Sequence, residues 1–233
     1  MSGLPHALDG FRIGLITDIH HSASVSAEDV TRAVALLSAV PTDLIVLGGD
    51  YVTFGDRDFV EPVAELLAPL SEAREGSFAV LGNHDDDKDM PAALIRRGFV
   101  VLKDQRTTLT LRGERVDLAG IRFWTRRLPD IARVVRDSEA LTILLAHDPR
   151  RLAEAADLNL PLVLSGHTHG GQIVLPGVGA LAAKKFPVLA GTARQGDTSL
   201  FVSRGVGTVY LPVRINCPPE VAVLTLRRRR GAA

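Results

Sequence analysis

The 233-residue sequence predicts an α/β protein built on mixed β-sheets. Short apolar runs of strand length alternate with amphipathic helical patterns through the first half of the chain. A hairpin signature then interrupts the alternation, and the chain from Gly170 onward is rich in Gly and Pro, with strands of antiparallel character. Parallel βαβ units that feed into hairpins give mixed sheets rather than one doubly wound sheet. Neither repeats nor a linker-like stretch divide the sequence. The expectation is one domain over residues 1–233, with a core of about 11–226 and a basic tail over 227–233.

Taken in order, Phe11 to Thr17 reads as the first strand. Ser26 to Val40 reads as a helix: Val30, Ala33, Val34 and Leu37 share one face, Ser26 is placed to cap, and Pro41 ends it. Leu44 to Leu47 is a buried strand. Asp58 to Leu70 is a second helix, with Phe59, Val63, Leu66, Leu67 and Leu70 in one stripe and Pro62 in the tolerant first turn. Phe78 to Leu81 and Phe99 to Leu102 read as strands around a short helix from Pro91 to Arg97, closed by Gly98. Thr107 to Leu111 and Arg115 to Ala119 flank Arg112-Gly113-Glu114 as a hairpin. A helix around Leu128 to Arg136, strand Thr142 to Ala146, a short helix from Pro149 and strand Leu162 to Ser165 follow. Strands near Ile173, Leu200 to Ser203 and Val221 to Leu226 complete the chain.

Composition narrows the function. Hydrophobic residues make up 46% and charged residues 23%, which excludes wholesale disorder. Lys+Arg and Asp+Glu balance at 27 each, which argues against a surface that coats nucleic acid. The single cysteine, Cys217, excludes an intrachain disulfide and a cysteine-based zinc finger. No apolar run approaches the ~18 residues of a membrane span. Met1 to His6 have neither the basic start nor the apolar stretch of a signal peptide, so the expected compartment is the cytoplasm. No obligate protein partner is evident.

The informative pattern lies at the strand ends. The first strand runs into Asp18-Ile19-His20, the second into Gly48-Gly49-Asp50 and the third into Gly82-Asn83-His84-Asp85. Strand Thr142 to Ala146 is followed by His147, and Leu162 to Ser165 by Gly166-His167-Thr168-His169. In open α/β sheets, sites form outside the carboxyl ends of strands, so these residues are expected to converge. Residues i and i+2 of an extended segment share a side, so Asp18 with His20, and His167 with His169, can each serve one ion if their loops leave the strands extended. Asp, Asn and His without thiolate suit Mn²⁺, Zn²⁺ or Fe. Seven candidates (Asp18, His20, Asp50, Asn83, His147, His167, His169) exceed one tetrahedral ion and fit two ions with a shared carboxylate. Each dipeptide alone carries little weight; the weight lies in their order and common position.

Other residues have blander readings. His6 suits a mobile terminus and His21 a structural position beside the pocket. Arg204 and Gln172 are candidate substrate-binding residues: Arg204 steers an anionic group or else sits in a surface ion pair, and Gln172, after the Gly170-Gly171 pair, lines the pocket on the same footing. Arg194, Lys184, Lys185 and the run Arg227 to Arg230 read as solvated. Phe123 and Trp124 read as core, Asp148 equally as a support behind the ligands next to His147 or as a cap for the helix from Pro149, and Cys217 as buried and inert.

At the strand-end residues the sequence resembles the calcineurin-like metallophosphoesterase superfamily, whose signature D-x-H, G-D, G-N-H-[DE], H, G-H-x-H stands here intact. The strings SGHTHGGQ (Ser165 to Gln172), VSRGVG (Val202 to Gly207) and LPVRINCPPE (Leu211 to Glu220) resemble the small bacterial branch containing the YkuE and YaeI phosphodiesterases. The resemblance implies a four-layer αββα sandwich of two mixed sheets. It implies that Asp18, His20 and His169 hold one ion, that Asn83, His147 and His167 hold a second, and that Asp50 bridges. It makes His84 the catalytic histidine and Asp85 its orienting acid. The activity implied is hydrolysis of a small phosphorylated substrate, a phosphodiester or phosphomonoester, by in-line attack of a metal-bridging hydroxide. Branch members commonly carry an N-terminal export signal or membrane anchor, whereas here the first strand begins by residue 11, which counts against a tethered role.

Within the same chemistry stands a pyrophosphohydrolase acting on a nucleotide-linked sugar lipid, although no amphipathic lid is evident. An amidohydrolase would place its HxH after the first strand rather than late, and a nuclease is disfavoured by the neutral charge. A catalytically silent scaffold would lack ligands or the histidine, and none is missing.

Overall fold

The computed structural model describes residues 1, 3–180 and 186–229. Two mixed sheets pack face to face between two layers of helices. The first sheet has the order β13-β1-β2-β3-β4, with β1 Arg12–Ile16, β2 Leu44–Leu47, β3 Ser77–Ala79, β4 Val100–Val101 and β13 Ala222–Thr225. Its strands run parallel except β13, which returns antiparallel to β1. The second sheet has the order β11-β12-β8-β7-β6-β5. It comprises β5 Gln105–Leu111, β6 Glu114–Ile121, β7 Leu141–Ala146, β8 Leu162–Ser165, β11 Gly191–Gln195 and β12 Thr198–Val202. A small hairpin, β9 Val174–Leu175 and β10 Gly179–Ala180, lies apart from both.

The alternation of side chains in each strand generates the layers. In β2, Leu44 and Val46 face the second sheet, where they meet Leu118, Ile143, Leu145 and Leu164. Ile45 and Leu47 point the other way, onto α1 Ala27–Ser38, α2 Val60–Leu67 and α3 Asp89–Arg96. A third core sets Leu144, Ala146, Val163 and Leu200 against α4 Leu128–Val135 and α5 Leu152–Asp157. Strands buried on both faces must be apolar throughout, which is why LIVL, TILLA and LVLS show no alternation with polar residues.

Local signals explain the boundaries. The Ser26 side chain accepts from the Asp29 N–H while the Asp29 carboxylate accepts from the Ser26 N–H, a reciprocal cap on α1. Between β5 and β6, Leu111 pairs with Glu114, so the turn is the two residues Arg112 and Gly113 rather than three. Both have positive φ (50° and 85°), the conformation that matches strand twist in tight hairpins. The expected second helix is three consecutive segments, with 3₁₀ turns at Arg57–Phe59 and Ala68–Glu72 on either side of α2.

Three expectations need correction. The tail is not wholly antiparallel: β12 runs parallel to β8, because Thr198–Val202 returns to the sheet after the long excursion that follows β8. Strand β11 forms a hairpin with β12 that the polar residues of GTARQ conceal. His6 sits in a 3₁₀ turn, His6–Leu8, anchored by buried Leu8. Lys184, Lys185 and Arg230 lie outside the described residues. Among those described, no helix is long and apolar enough to cross a membrane.

Candidate metal centre

The ends of β1, β2 and β3 from one sheet, and of β7 and β8 from the other, meet at the same edge of the sandwich. Main-chain bonds tie them: Asp18 N–H donates to Gly49 O (2.9 Å), His20 N–H to Asp50 O (3.1 Å) and Gly166 N–H to His147 O (3.1 Å). Asp18 joins the two sheets, its carboxylate accepting the His167 N–H at 2.9 and 3.1 Å.

Six of the seven ligand candidates form two groups. Asp18, His20 and His169 bring one donor atom each within 4.8 Å of one another, and so do Asp50, His147 and His167. Asp50 stands between them, its Oδ2 3.5 Å from His20 Nε2 and 3.1 Å from His147 Nε2. The facing nitrogens of His20 and His169 are 3.1 Å apart, which places two lone-pair donors toward one point. The seventh candidate, Asn83, lines a cavity with His84 and Asp85, and its Oδ1 is buried and lacks a hydrogen-bond partner. An orphaned buried acceptor costs about 1–3 kcal/mol, a cost that coordination of a cation removes. The nitrogen and oxygen donors therefore fit divalent ions of the Mn, Zn or Fe type.

The loops reach this arrangement through left-handed backbone rather than by continuing the strands. Asp18, His20, Asp50, His167 and His169 all have positive φ, between 51° and 71°. The i, i+2 argument from extended geometry therefore holds for one pair only: Asp18 and His20 share a donor group, whereas His167 joins Asp50 and His147 while His169 joins Asp18 and His20. Positive φ is uncommon outside glycine and is retained where the surroundings over-determine it. Crowding explains the glycine of Gly82-Asn83-His84: a Cβ at position 82 would overlap the Asp50 carboxylate.

Behind the donors, His147 Nδ1 is 2.8 Å from the Gly48 carbonyl and His20 Nδ1 is 3.2 Å from Thr53 Oγ1. A proton on each Nδ1 satisfies these partners and leaves Nε2 free to face a cation. Thr17 Oγ1 donates to Asp18 Oδ2. Burial pushes both His167 and His169 down to about 4, so these rings are neutral at pH 7. Burial acts the same way on His147, but the charges of Asp50 and Asp18 outweigh it and raise the ring to about 10. Burial opposes the Asp50 carboxylate too, yet His147 and His20 hold it well below the usual range.

His84 and Asp85 follow a different plan from the one the resemblance implies. The Asp85 carboxylate accepts main-chain N–H groups from Asp50 (2.7 Å), Tyr51 (2.8 Å) and Gly82 (2.9 Å) and so fastens one ligand loop to the next. Burial and the charge of Asp50 raise it to about 7 despite those donors. The His84 ring is held instead by Phe54, whose main-chain N–H donates to Nδ1 at 3.0 Å. The ring also belongs to the cluster of His20, Asp50 and His84. Burial holds His84 below the ordinary histidine value.

Gln172 and Arg204 are committed elsewhere. Gln172 is buried, its Nε2 donating to Val209 O and Leu211 O while its Oε1 accepts from Val209 N–H. Arg204 turns its guanidinium to Glu220, Nε at 2.7 Å and Nη2 at 2.6 Å from Oε2. The arginine behind the donors is Arg214, which donates to the carbonyls of Gly207 and His169 and brings Nη2 to 3.4 Å from His169 Nδ1. It lies in the LPVRINCPPE string, but nothing in the string separates it from Arg204. Phe123 is buried and packs on His167 at 5.0 Å, whereas Trp124 is exposed with Arg126 stacked on it. His21 is structural, buried with Nδ1 2.8 Å from Val25 O. Asp148 accepts from Arg150 N–H as a cap and pairs with its guanidinium. Cys217 is buried against the His169 carbonyl, and Arg194 pairs with Asp197.

Comparison with known proteins agrees with this geometry. The calcineurin-like phosphoesterase profile matches residues 11–171. The chain is 33% identical to the Bacillus subtilis metallophosphoesterase YkuE, over 96% of this chain and 82% of the relative. It is 33% identical to the Escherichia coli phosphodiesterase YaeI, over 93% and 82% respectively. A solved archaeal phosphodiesterase superposes with a TM-score of 0.51 at 13% identity, covering 92% of this chain and 93% of that one, a likeness of fold. The profile spans all five strand-end motifs, and with identity at this level over nearly the whole length, the chain belongs to the calcineurin-like phosphoesterase family.

Proposed function

We propose that the chain is a dinuclear metal-dependent phosphodiesterase acting in a single domain on a small substrate. Asp18, His20 and His169 hold one ion, Asn83, His147 and His167 hold the other, and Asp50 is shared. The observation that carries this reading is the convergence of Asp18, His20 and His169, and of Asp50, His147 and His167, into two donor groups, with the buried Oδ1 of Asn83 left without a hydrogen-bond partner. When bound, the ions supply Lewis acidity, which polarises the phosphoryl oxygens and lowers the pKa of a water toward neutrality.

The chain's own groups do the rest. Because Nδ1 of His84 accepts from Phe54, the ring keeps its proton on Nε2 and acts as a neutral hydrogen-bond donor to an equatorial or leaving phosphate oxygen. In the net step, the water oxygen bonds to phosphorus and the ester oxygen departs with its electron pair. One proton of the water ends on that leaving oxygen. A positioned donor of this kind is worth about 10²–10³ in kcat. The diesterase reading is preferred over a monoesterase because the cavity of Asn83 and His84 shares Phe54 and Tyr210 with a second cavity able to hold another ester arm, and because YaeI bears that name. A silent scaffold would not retain every donor.

The test is a metal-supplemented screen of aryl phosphomonoesters and diesters, paired with metal analysis. Turnover with Mn²⁺, Zn²⁺ or Fe, preferring diesters, is expected. Two bound ions without any hydrolysis would replace the enzyme reading with the scaffold.

A further inference from the structure

Two cavities share a pair of aromatic residues, and one of the two reaches Asn83 and His84. One, about 450 Å³, contains Asn83, His84 and Asp85 in its lining. The other, about 500 Å³, is lined in part by Ser22, Ser24, Thr53 and Thr208. Phe54 and Tyr210 line both. Their ring centroids are 5.7 Å apart at an interplanar angle of 55°, and the Phe54 ring lies 4.9 Å from that of His84.

These rings are 66% and 80% exposed, so hydrophobic burial does not hold them there. Their backbones do. Phe54 is fixed by its N–H on His84, and Tyr210 by Gln172, which bonds the carbonyls of both flanking residues, Val209 and Leu211. Both aromatic residues have positive φ, 52° and 63°, a conformation that is a true outlier for bulky side chains. Strain of this sort persists at sites where a geometry is imposed for use. Two aromatic rings carried on a fixed backbone beside a cavity present exposed faces on which a planar ligand ring can stack.

The charge of the second cavity limits what it accepts. Among the described residues its lining contains Asp56 and no lysine or arginine. A second phosphate would be repelled, whereas a neutral ring bearing hydroxyl or amide groups would stack on the aromatic pair against a lining of uncharged serine and threonine residues. We propose that this cavity is a subsite for the neutral, planar-ring half of a phosphodiester, of the nucleoside type, while the phosphate lies at the donor cluster. The proposal rests on the phosphodiesterase reading and excludes a diphosphate arm from this subsite.

The test compares two substrates with the Mn²⁺-loaded full chain, the methyl phosphodiester of thymidine and the methyl phosphodiester of glycerol, with products followed by phosphorus NMR. They differ in the presence of a planar ring. Wild type is expected to prefer the thymidine ester. Tyr210→Ala should lower the ratio of kcat/KM for thymidine over glycerol about tenfold, through KM, the range that loss of one base–aromatic stack produces. Tyr210→Phe should keep the ratio. An equal ratio in wild type and Tyr210→Ala overturns the subsite. If neither ester is turned over, the phosphodiesterase reading fails and calorimetry decides the subsite. Binding of the thymidine ester about tenfold weaker to Tyr210→Ala supports it, and equal affinity overturns it.

Discussion

The main-chain N–H of Phe54 donates to His84 Nδ1 at 3.0 Å, while the carboxylate of the adjacent Asp85 turns away to three backbone amides. The histidine next to the donor cluster is therefore oriented by backbone, and its acidic neighbour serves the loops. Different consequences follow for the two residues.

Asp85→Asn should act on stability and metal retention before chemistry. An amide reproduces acceptance at one oxygen but presents N–H groups to another main-chain N–H. Loss of one charge-assisted bond with a buried donor left over costs about 1.5–3 kcal/mol. Denaturant unfolding of the metal-free protein should show that loss, with kcat at saturating metal falling far less than in His84→Ala. A large drop in kcat at unchanged stability and metal affinity would return Asp85 to the role of orienting His84.

His84→Ala should leave two ions per chain and lower kcat by about 10²–10³. Because His84 also lies in a cluster with His20 and Asp50, the metal content is the sharper readout. A fall to one ion would make it a ligand rather than a donor to phosphate.

The motifs were legible because chemistry requires those residue types, and their placement followed from the rule that α/β sites lie at strand ends. LIVL and LVLS announced doubly buried strands as plainly. Three features stayed hidden. Phe54 acts on His84 through its N–H, a group that every residue but proline carries, so no side-chain motif marks it. Arg214 and Arg204 sit in similar strings, and only folding shows that one stands behind His169 while the other pairs with Glu220. Strand β11 is polar because it forms the exposed edge of its sheet.

His147 gives the metal-free protein a measurable pH signature. With its folded value raised to about 10, it contributes stability that is fully present below about pH 6.5 and is lost as pH rises through about 10. At pH 8 the ring carries a proton that a cation must displace from Nε2. Metal loading should therefore release about one proton per chain from this residue. Calorimetric titration in two buffers of different ionisation enthalpy checks this, and a binding enthalpy independent of buffer would contradict it.

Gly82→Ala places a methyl group against the Asp50 carboxylate. Overpacking of this kind costs about 1–3 kcal/mol, and since the displaced group is the proposed shared ligand, metal affinity should fall as well. Thermal unfolding with and without Mn²⁺ should show a smaller metal-induced rise in Tm than in wild type. An undiminished rise would mean that Asp50 tolerates the shift and is not central to binding.

The most direct measurement is anomalous diffraction from crystals grown with Mn²⁺, on wild type and on Asp50→Asn. Wild type should give two peaks about 3.5–4 Å apart, one beside Asp18, His20 and His169 and the other beside Asn83, His147 and His167, and Asp50→Asn should lose at least one. A single peak in wild type, or two peaks of which neither touches Asp50, would contradict the shared-carboxylate centre on which the proposed chemistry depends.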